Sequence, residues 1–132
     1  MKFLNKRKNH LKSQVVIDQL FSSGKIISNP PFRLIFLEVK NSDFIGVQTL
    51  ISVPKRRFKL AVTRNTIKRK ISEAFRLNSL ELNQKINTHK KHLALGIIYT
   101  GRKELEFSFI EKRIQLITAD LIKTLKKLEN EK

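Results

Sequence analysis

The feature that most constrains the fold is a strongly basic segment, residues 55–76, which keeps the apolar spacing of a packed helix. It contains nine lysines and arginines and a single acid, Glu73. Ile67, Ile71 and Phe75 recur every four residues, so on an α-helix they share one stripe. We therefore predict a helix with one buried side here, and not a loose basic tail.

The opposite side of this predicted helix carries charge of one sign. At about 100° per residue, a second stripe brings together Asn65, Arg69, Ser72 and Arg76, with Lys68 at its edge. The charge continues into the preceding loop through Lys55, Arg56, Arg57 and Lys59. Like charges held this close lower stability unless a partner neutralises them. The polyanion that best fits a row of cations is a nucleic-acid backbone.

The overall composition agrees with a polyanionic partner. The 132 residues carry a formal net charge of +17, and the pI is near 10.6. These values fit a protein that binds RNA, DNA or an anionic membrane, and they argue against a small-molecule substrate. We expect one domain, residues 1–132, with residues 1–9 as a basic, mobile arm. Cysteine is absent, which excludes disulfides and thiolate metal sites. With no signal peptide or membrane-spanning run in the pattern, the expected location is cytoplasmic.

Hydrophobic patterning predicts three helices and a small sheet. The predicted elements are a helix over 10–22, strands over 32–39 and 44–53, a helix over 64–78, a strand over 93–99, and a final helix opened by a Ser108–Glu111 capping box. Residues 77–91 are polar and are predicted as a frayed helix end and a loop. Gly24 is expected to end the first helix in the left-handed conformation, and Gly46 to mark a bulge or irregular strand start.

This order (helix, strands, helix, strand, helix) predicts an α+β fold, a two-layer sandwich in which about three helices pack on a small mixed sheet. Asn65 has two interpretations, as an RNA contact or as a helix cap. Asn65 lies close to the expected start of the central helix, so its side chain could equally be an N-cap that binds backbone.

No catalytic arrangement is visible in the sequence. A metal-dependent nuclease needs several carboxylates at one site, and the eleven acids here are scattered. His89 and His92 are three residues apart and would lie together on a helix, but no cysteine or nearby acid completes a metal site. We therefore predict a binding protein without catalytic residues and without a metal site of its own.

The basic segment and its flanks resemble the protein subunit of bacterial ribonuclease P. The matching residues are Val53-Pro54-Lys55-Arg56, Ala61-Val62-Thr63-Arg64-Asn65, Lys68-Arg69, and Glu73 with Arg76. The likeness extends over nearly the whole chain. Thr66 and Ser72 stand where the family has arginines, so weaker phosphate contacts are expected at these two positions.

The resemblance implies a function and a topology. In this family the RNA subunit carries the active site and uses Mg²⁺ to hydrolyse a phosphodiester endonucleolytically, which removes the 5′ leader of precursor tRNA. The protein alone is expected to be inactive, and its partners would be the catalytic RNA and precursor tRNA. The family also implies a left-handed crossover around the central helix. By this resemblance the residues that face the catalytic RNA would be Arg64, Lys68, Arg69 and Arg76, together with Lys55 and Arg56.

The same resemblance implies a cleft for the leader between the first helix and the sheet, where family members present aromatic residues. Phe21 falls at one such position, whereas Ile17 and Ile35 stand where other members often carry aromatics, so they are expected to contact the leader with weaker stacking. Arg33 would reach phosphate from a strand, on the face opposite Phe32, which we interpret as a core residue.

Three other functions fit parts of the sequence. A structural or ribosome-associated RNA-binding protein would use the same basic helix without a catalytic partner. A DNA-binding protein would place residues 64–76 in a major groove, although the surrounding strands argue against a helix-turn-helix. Attachment to an anionic membrane fits least well, because the final helix lacks a strongly cationic face. A preference for structured RNA over duplex DNA at equal salt would separate the first two.

Overall fold

The computed structural model describes residues 10–39, 46–89 and 91–130, which form four helices and four strands. In chain order the elements are α1 (Gln14–Ser23), β1 (Lys25–Asn29), β2 (Phe32–Glu38), β3 (Gly46–Ser52), α2 (Ala61–Asn78), α3 (Leu80–Thr88), β4 (His92–Tyr99) and α4 (Phe107–Asn130). The predictions for residues 1–9 and for Phe44 and Ile45 lie outside the described residues.

The strands form one mixed sheet in the order β1-β2-β4-β3. Strand β2 is antiparallel to both β1 and β4, whereas β3 and β4 are parallel. A parallel pair needs a crossover connection, and here the connection runs through α2 and α3. The predicted α+β fold with a small mixed sheet is confirmed. The left-handed sense of the crossover stays a prediction.

Because successive side chains of a strand point to opposite faces, the sheet has two apolar clusters, one on each face. Phe32, Leu34 and Phe36 of β2 face the larger cluster, which contains the buried residues of α2, α3 and α4. Ile35 faces the other side and packs with Leu20 of α1. Thus α1 covers one face and the other three helices cover the opposite face. Strand β4 is apolar on both sides, as predicted, because it lies between these two layers.

The end of α1 corrects one prediction. Gly24 follows the helix with φ −69° and ψ 155°, so it is extended and not left-handed. Glycine is required there by a close approach instead: a Cβ would lie 2.4 Å from the carbonyl oxygen of Leu20 and 2.7 Å from Cγ1 of Ile35. At Gly46 the prediction of an irregular strand start is confirmed, since its φ is +92°.

Two elements were missed by the sequence pattern. Strand β1 occupies residues 25–29, and helix α3 occupies residues 80–88, where a loop was predicted. The helix buries Leu82 and Ile86 in the larger cluster. Two further boundaries differ. Helix α2 begins at Ala61 instead of Arg64, and α4 begins at Phe107, so Ser108 lies inside the helix and is not its N-cap.

The apolar stripe predicted for α4 is confirmed. Ile110, Ile114, Ile117 and Leu121 are fully buried, and Leu125 and Leu128 pack partly buried against the same cluster. No helix in the described part of the chain is long and apolar enough to cross a membrane.

Candidate nucleic-acid interface

Helix α2 separates its apolar and basic residues as predicted. Ile67, Ile71 and Ala74 are fully buried, and Phe75 packs partly buried beside them. The opposite stripe is exposed along its whole length, at Asn65, Lys68, Arg69, Ser72 and Arg76. The N-cap position of this helix is Leu60, which makes no side-chain cap hydrogen bond. The alternative interpretation of Asn65 as the N-cap is therefore wrong, because it lies in the second turn.

The basic loop before α2, residues 53–60, is held to the core. The backbone N–H groups of Arg57 and Phe58 both donate to the carbonyl of Pro54, at 3.2 and 3.3 Å. The Phe58 ring is buried, with its centroid 5.9 Å from that of Tyr99. The loop's four cations, Lys55, Arg56, Arg57 and Lys59, remain exposed. The loop therefore presents its charges from an anchored backbone.

Arg64 joins this loop to the helix. Its Nη1 donates to the carbonyl oxygens of Phe58 at 2.8 Å and Lys59 at 3.0 Å, and the residue is half-buried. These contacts occupy part of the guanidinium that was predicted to face RNA. The structure thus gives Arg64 a role in positioning the loop, which the sequence pattern did not reveal.

A further arginine joins the basic loop from a distant part of the chain. Arg102 lies in the loop over residues 100–106, and together with Arg56 and Arg57 it lines one open depression. The Arg57 guanidinium also donates to the carbonyl of Thr100. The parallel pairing explains this meeting, because Ser52 of β3 lies opposite Ile98 of β4, so both strands end at the same edge of the sheet. Arg102 lies outside the basic segment and was not predicted as a site residue. Its place beside Arg56 and Arg57 follows from the parallel pairing of β3 and β4, which the sequence pattern does not reveal.

Tyr99 packs against both the basic loop (53–60) and the 100–106 loop. Its side chain is fully buried, its ring lies edge-on to Phe32 at 5.7 Å, and its hydroxyl donates to the carbonyl of Lys103 at 2.5 Å. A Cβ at Gly101 would lie 2.7 Å from the Tyr99 ring, so only glycine lets the second loop fold this closely. Burial raises the pKa of the Tyr99 hydroxyl, and the nearby Glu104 carboxylate raises it further.

Near the C-terminal end of the stripe, Arg76 is paired with the one acid of the basic segment. Its Nε donates to Oε1 of Glu73 at 3.0 Å, and its Nη2 donates to Oε2 at 2.6 Å. These hydrogen bonds and the carboxylate charge raise the pKa of Arg76. Six residues before Arg76, Lys70 points away from the stripe and binds Glu104 at 2.8 Å, which ties α2 to the 100–106 loop.

Thr66 and Ser72, which replace arginines of the resembled family, behave differently. The Thr66 hydroxyl donates to the carbonyl of Val62 in its own helix at 2.9 Å, whereas Ser72 is exposed on the stripe. Neither side chain supplies a cation. Arg69 lies beside Thr66, with Nη2 at 3.5 Å from its hydroxyl oxygen.

The residues predicted to bind a leader lie on the α1 face of the sheet. Phe21 is 49% exposed at the end of α1, Ile17 is half-buried one turn before it, and Arg33 is exposed on β2. Ile35 shares the face of Arg33, but only 4% of its surface is exposed. Ile35 can therefore form the floor beneath α1 but cannot offer a face for stacking, so the direct contact predicted for it does not fit the structure.

The comparisons with known proteins decide the family. A family model described as Ribonuclease P matches residues 5–129. The chain belongs to the ribonuclease P family. Its relatives include the ribonuclease P protein component of Porphyromonas gingivalis, which is 28% identical over 99 residues, covering 75% of this chain and 72% of the relative.

Solved ribonuclease P proteins share the fold. The protein from Staphylococcus aureus is 19% identical, with a TM-score of 0.66, and the match covers 86% of this chain and 94% of that one. The protein from Thermotoga maritima is 18% identical, with a TM-score of 0.63, covering 83% and 94%. At these identities the likeness speaks for the fold alone.

The chain is a ribonuclease P protein component and is therefore part of a tRNA-processing enzyme. Catalysis by the RNA part of that enzyme is consistent with the family. Among residues 10–39, 46–89 and 91–130, no three His, Cys, Asp or Glu side chains are grouped to hold a metal ion. His89 follows the end of α3 and His92 begins β4, so the two imidazoles do not share a helix.

Proposed function

We propose that this chain binds the catalytic RNA of ribonuclease P through one basic surface and thereby helps that RNA to bind and cleave precursor tRNA. The basic surface consists of Lys55, Arg56, Arg57, Lys59, Asn65, Lys68, Arg69, Arg76 and Arg102, with Arg64 holding the loop behind it. The observation that carries the proposal is the continuity of exposed cations from α2 through the two loops at the end of β3 and β4.

The mechanism is electrostatic. Two RNA molecules repel each other, and each lysine or arginine placed on a phosphate releases condensed counterions and lowers the cost of bringing them together. The Mg²⁺ ions that hydrolyse the phosphodiester would be held by the RNA, and a protein that neutralises backbone charge lets the complex hold them at a lower free Mg²⁺ concentration. In this proposal no protein side chain takes part in bond cleavage.

The proposed path of the leader is the groove between α1 and the sheet. Unpaired bases stack on aromatic rings, and the Phe21 side chain is 49% exposed near the end of α1. Arg33 stands on the same side of the sheet and supplies a cation for the leader backbone. Ile17 adds apolar surface beside Phe21, since the two are one helical turn apart on α1.

Replacing Phe21 by alanine tests the leader path. Because stacking contributes about 1–3 kcal/mol per base, Phe21→Ala should weaken binding of a precursor tRNA with a long leader by about 5- to 150-fold. Affinity for a precursor whose leader is cut to one nucleotide should stay close to that of the wild type. The measurement is the dissociation constant of each precursor from the holoenzyme, reconstituted with the cognate catalytic RNA.

Phe109→Ala provides the matched control, since Phe109 is also a partly exposed aromatic residue but lies on α4, on the opposite face of the sheet. It should leave the preference for long leaders unchanged. An equal loss for long and short leaders in Phe21→Ala would contradict the groove assignment. Tight binding to other structured RNA, with no preference for precursor tRNA, would instead favour a structural RNA-binding protein.

A further inference from the structure

We propose that Glu73 is a positioning residue for RNA binding, which holds the Arg76 guanidinium so that its remaining N–H groups face the RNA backbone. The inference deepens the proposed function and rests on it. It assigns a binding role to the one acid of the basic segment, a residue that electrostatics alone would count as unfavourable beside a polyanion.

The geometry of the pair carries the inference. Glu73 accepts two hydrogen bonds from one side of the guanidinium, from Nε at 3.0 Å and from Nη2 at 2.6 Å. A guanidinium has five N–H groups in a rigid plane, so three remain: both on Nη1 and one on Nη2. Two of these, one on Nη1 and one on Nη2, lie side by side on the end edge of the plane, where they can bind a phosphate in bidentate fashion.

The pair lies on α2 where the free edge of the Arg76 guanidinium can reach the RNA backbone. Arg76 follows Arg69 by seven residues, two helical turns, so both side chains belong to the same exposed stripe. Both Glu73 and Arg76 have side chains that are 47% exposed, so the pair is open to a ligand. A solitary arginine at such a site samples many rotamers, and ordering it costs part of the binding free energy. Glu73 restricts those rotamers before RNA arrives.

The alternative role for Glu73 predicts an effect of opposite sign. If its carboxylate only repels RNA, Glu73→Ala raises the net charge by one and should tighten binding, most strongly at low salt. If it positions Arg76, the same substitution should weaken binding by about two- to fivefold, the range expected of an exposed pair. It should also make the dependence of affinity on salt shallower, because one phosphate contact becomes less occupied.

A double-mutant cycle separates the two roles. We would measure the dissociation constant of the catalytic RNA across a salt series for the wild type, Glu73→Ala, Arg76→Ala and the double variant. In the wild-type background we expect Glu73→Ala to weaken binding. In the Arg76→Ala background there is no guanidinium to position, so removal of the carboxylate should leave binding unchanged or tighten it.

Two further variants complete the experiment. Glu73→Gln keeps the side-chain length and one acceptor oxygen, and should retain more affinity than Glu73→Ala. Glu81→Ala, at an exposed acid in the first turn of α3, raises the net charge by the same amount without touching Arg76, and should not weaken binding. Thermal melts would confirm that every variant is folded.

Binding by Glu73→Ala that is as tight as that of Glu81→Ala, or tighter, would overturn the positioning role while leaving the proposed function intact. Failure of the wild-type chain to bind the catalytic RNA would overturn the proposed function, and this inference with it.

Discussion

Replacing Lys68, Arg69 and Arg76 together by alanine is expected to weaken binding to the catalytic RNA by about 100-fold or more at low salt, since each charge-assisted contact contributes about 1.5–3 kcal/mol. The three side chains are exposed on one stripe of α2, and none of them supports the core. The slope of log affinity against log salt should become shallower by about two to three, one ion for each lost phosphate contact. Equilibrium binding across a salt series measures both quantities.

A control variant removes the same charge from another place. Lys123, Lys126 and Lys127 are exposed on the last turns of α4 and lie outside the basic surface. Their joint replacement by alanine also lowers the net charge by three, so it reports the effect of overall charge alone. If both triple variants lost the same affinity and the same salt slope, binding would depend on net charge and not on the α2 stripe.

The second large effect concerns Tyr99, which supports both loops of the basic surface. Tyr99→Ala should lower the free energy of unfolding by about 3–5 kcal/mol, the usual cost of removing a large buried aromatic side chain. The Phe32 and Phe58 rings would each lose their aromatic neighbour. Urea denaturation followed by circular dichroism measures the change. A loss below about 1 kcal/mol would mean that Tyr99 is not the packing centre that the structure shows.

Tyr99→Phe isolates the hydroxyl group. The substitution keeps the ring and removes only the hydrogen bond to the carbonyl of Lys103, so we expect a loss of about 0.5–1.5 kcal/mol at neutral pH. The pKa of the Tyr99 hydroxyl is raised in the folded state, so the unfolded chain ionises first as pH rises. Its contribution to stability is therefore complete below the ordinary tyrosine pKa of about 10 and decreases above it. The phenylalanine variant should lack this part of the alkaline decrease, and an identical decrease in both proteins would contradict the assignment.

Those parts of the fold with strong local periodicity could be predicted from the sequence. The stripes of α2 and α4 repeat over many turns, and β4 is a short apolar run buried on both faces. Helix α3 lacked such a signal, because it buries only Leu82 and Ile86 among polar residues. It is further held by a tertiary contact, since Lys85 binds Glu129 of α4 at 3.2 Å. That contact cannot be read from a local pattern.

The same distinction applies to the candidate site. The exposed stripe of α2 follows from helical geometry, and its location was predicted correctly. The loop-holding role of Arg64 depends on how residues 53–60 fold back onto the helix. The convergence of Arg102 on Arg56 and Arg57 depends on parallel pairing between strands that are far apart in sequence. Contacts of this kind require the topology, which the sequence pattern left open.

The most direct measurement is cleavage of a precursor tRNA by the cognate catalytic RNA across a range of Mg²⁺ concentrations, with the wild-type protein, with the Lys68, Arg69 and Arg76 triple variant, and without protein. We expect strong stimulation by the wild type at low Mg²⁺ that fades as Mg²⁺ is raised, because the ions then screen the RNA themselves. The triple variant should lose most of this stimulation. Stimulation that did not depend on Mg²⁺, or that survived fully in the triple variant, would contradict an electrostatic role for the basic surface.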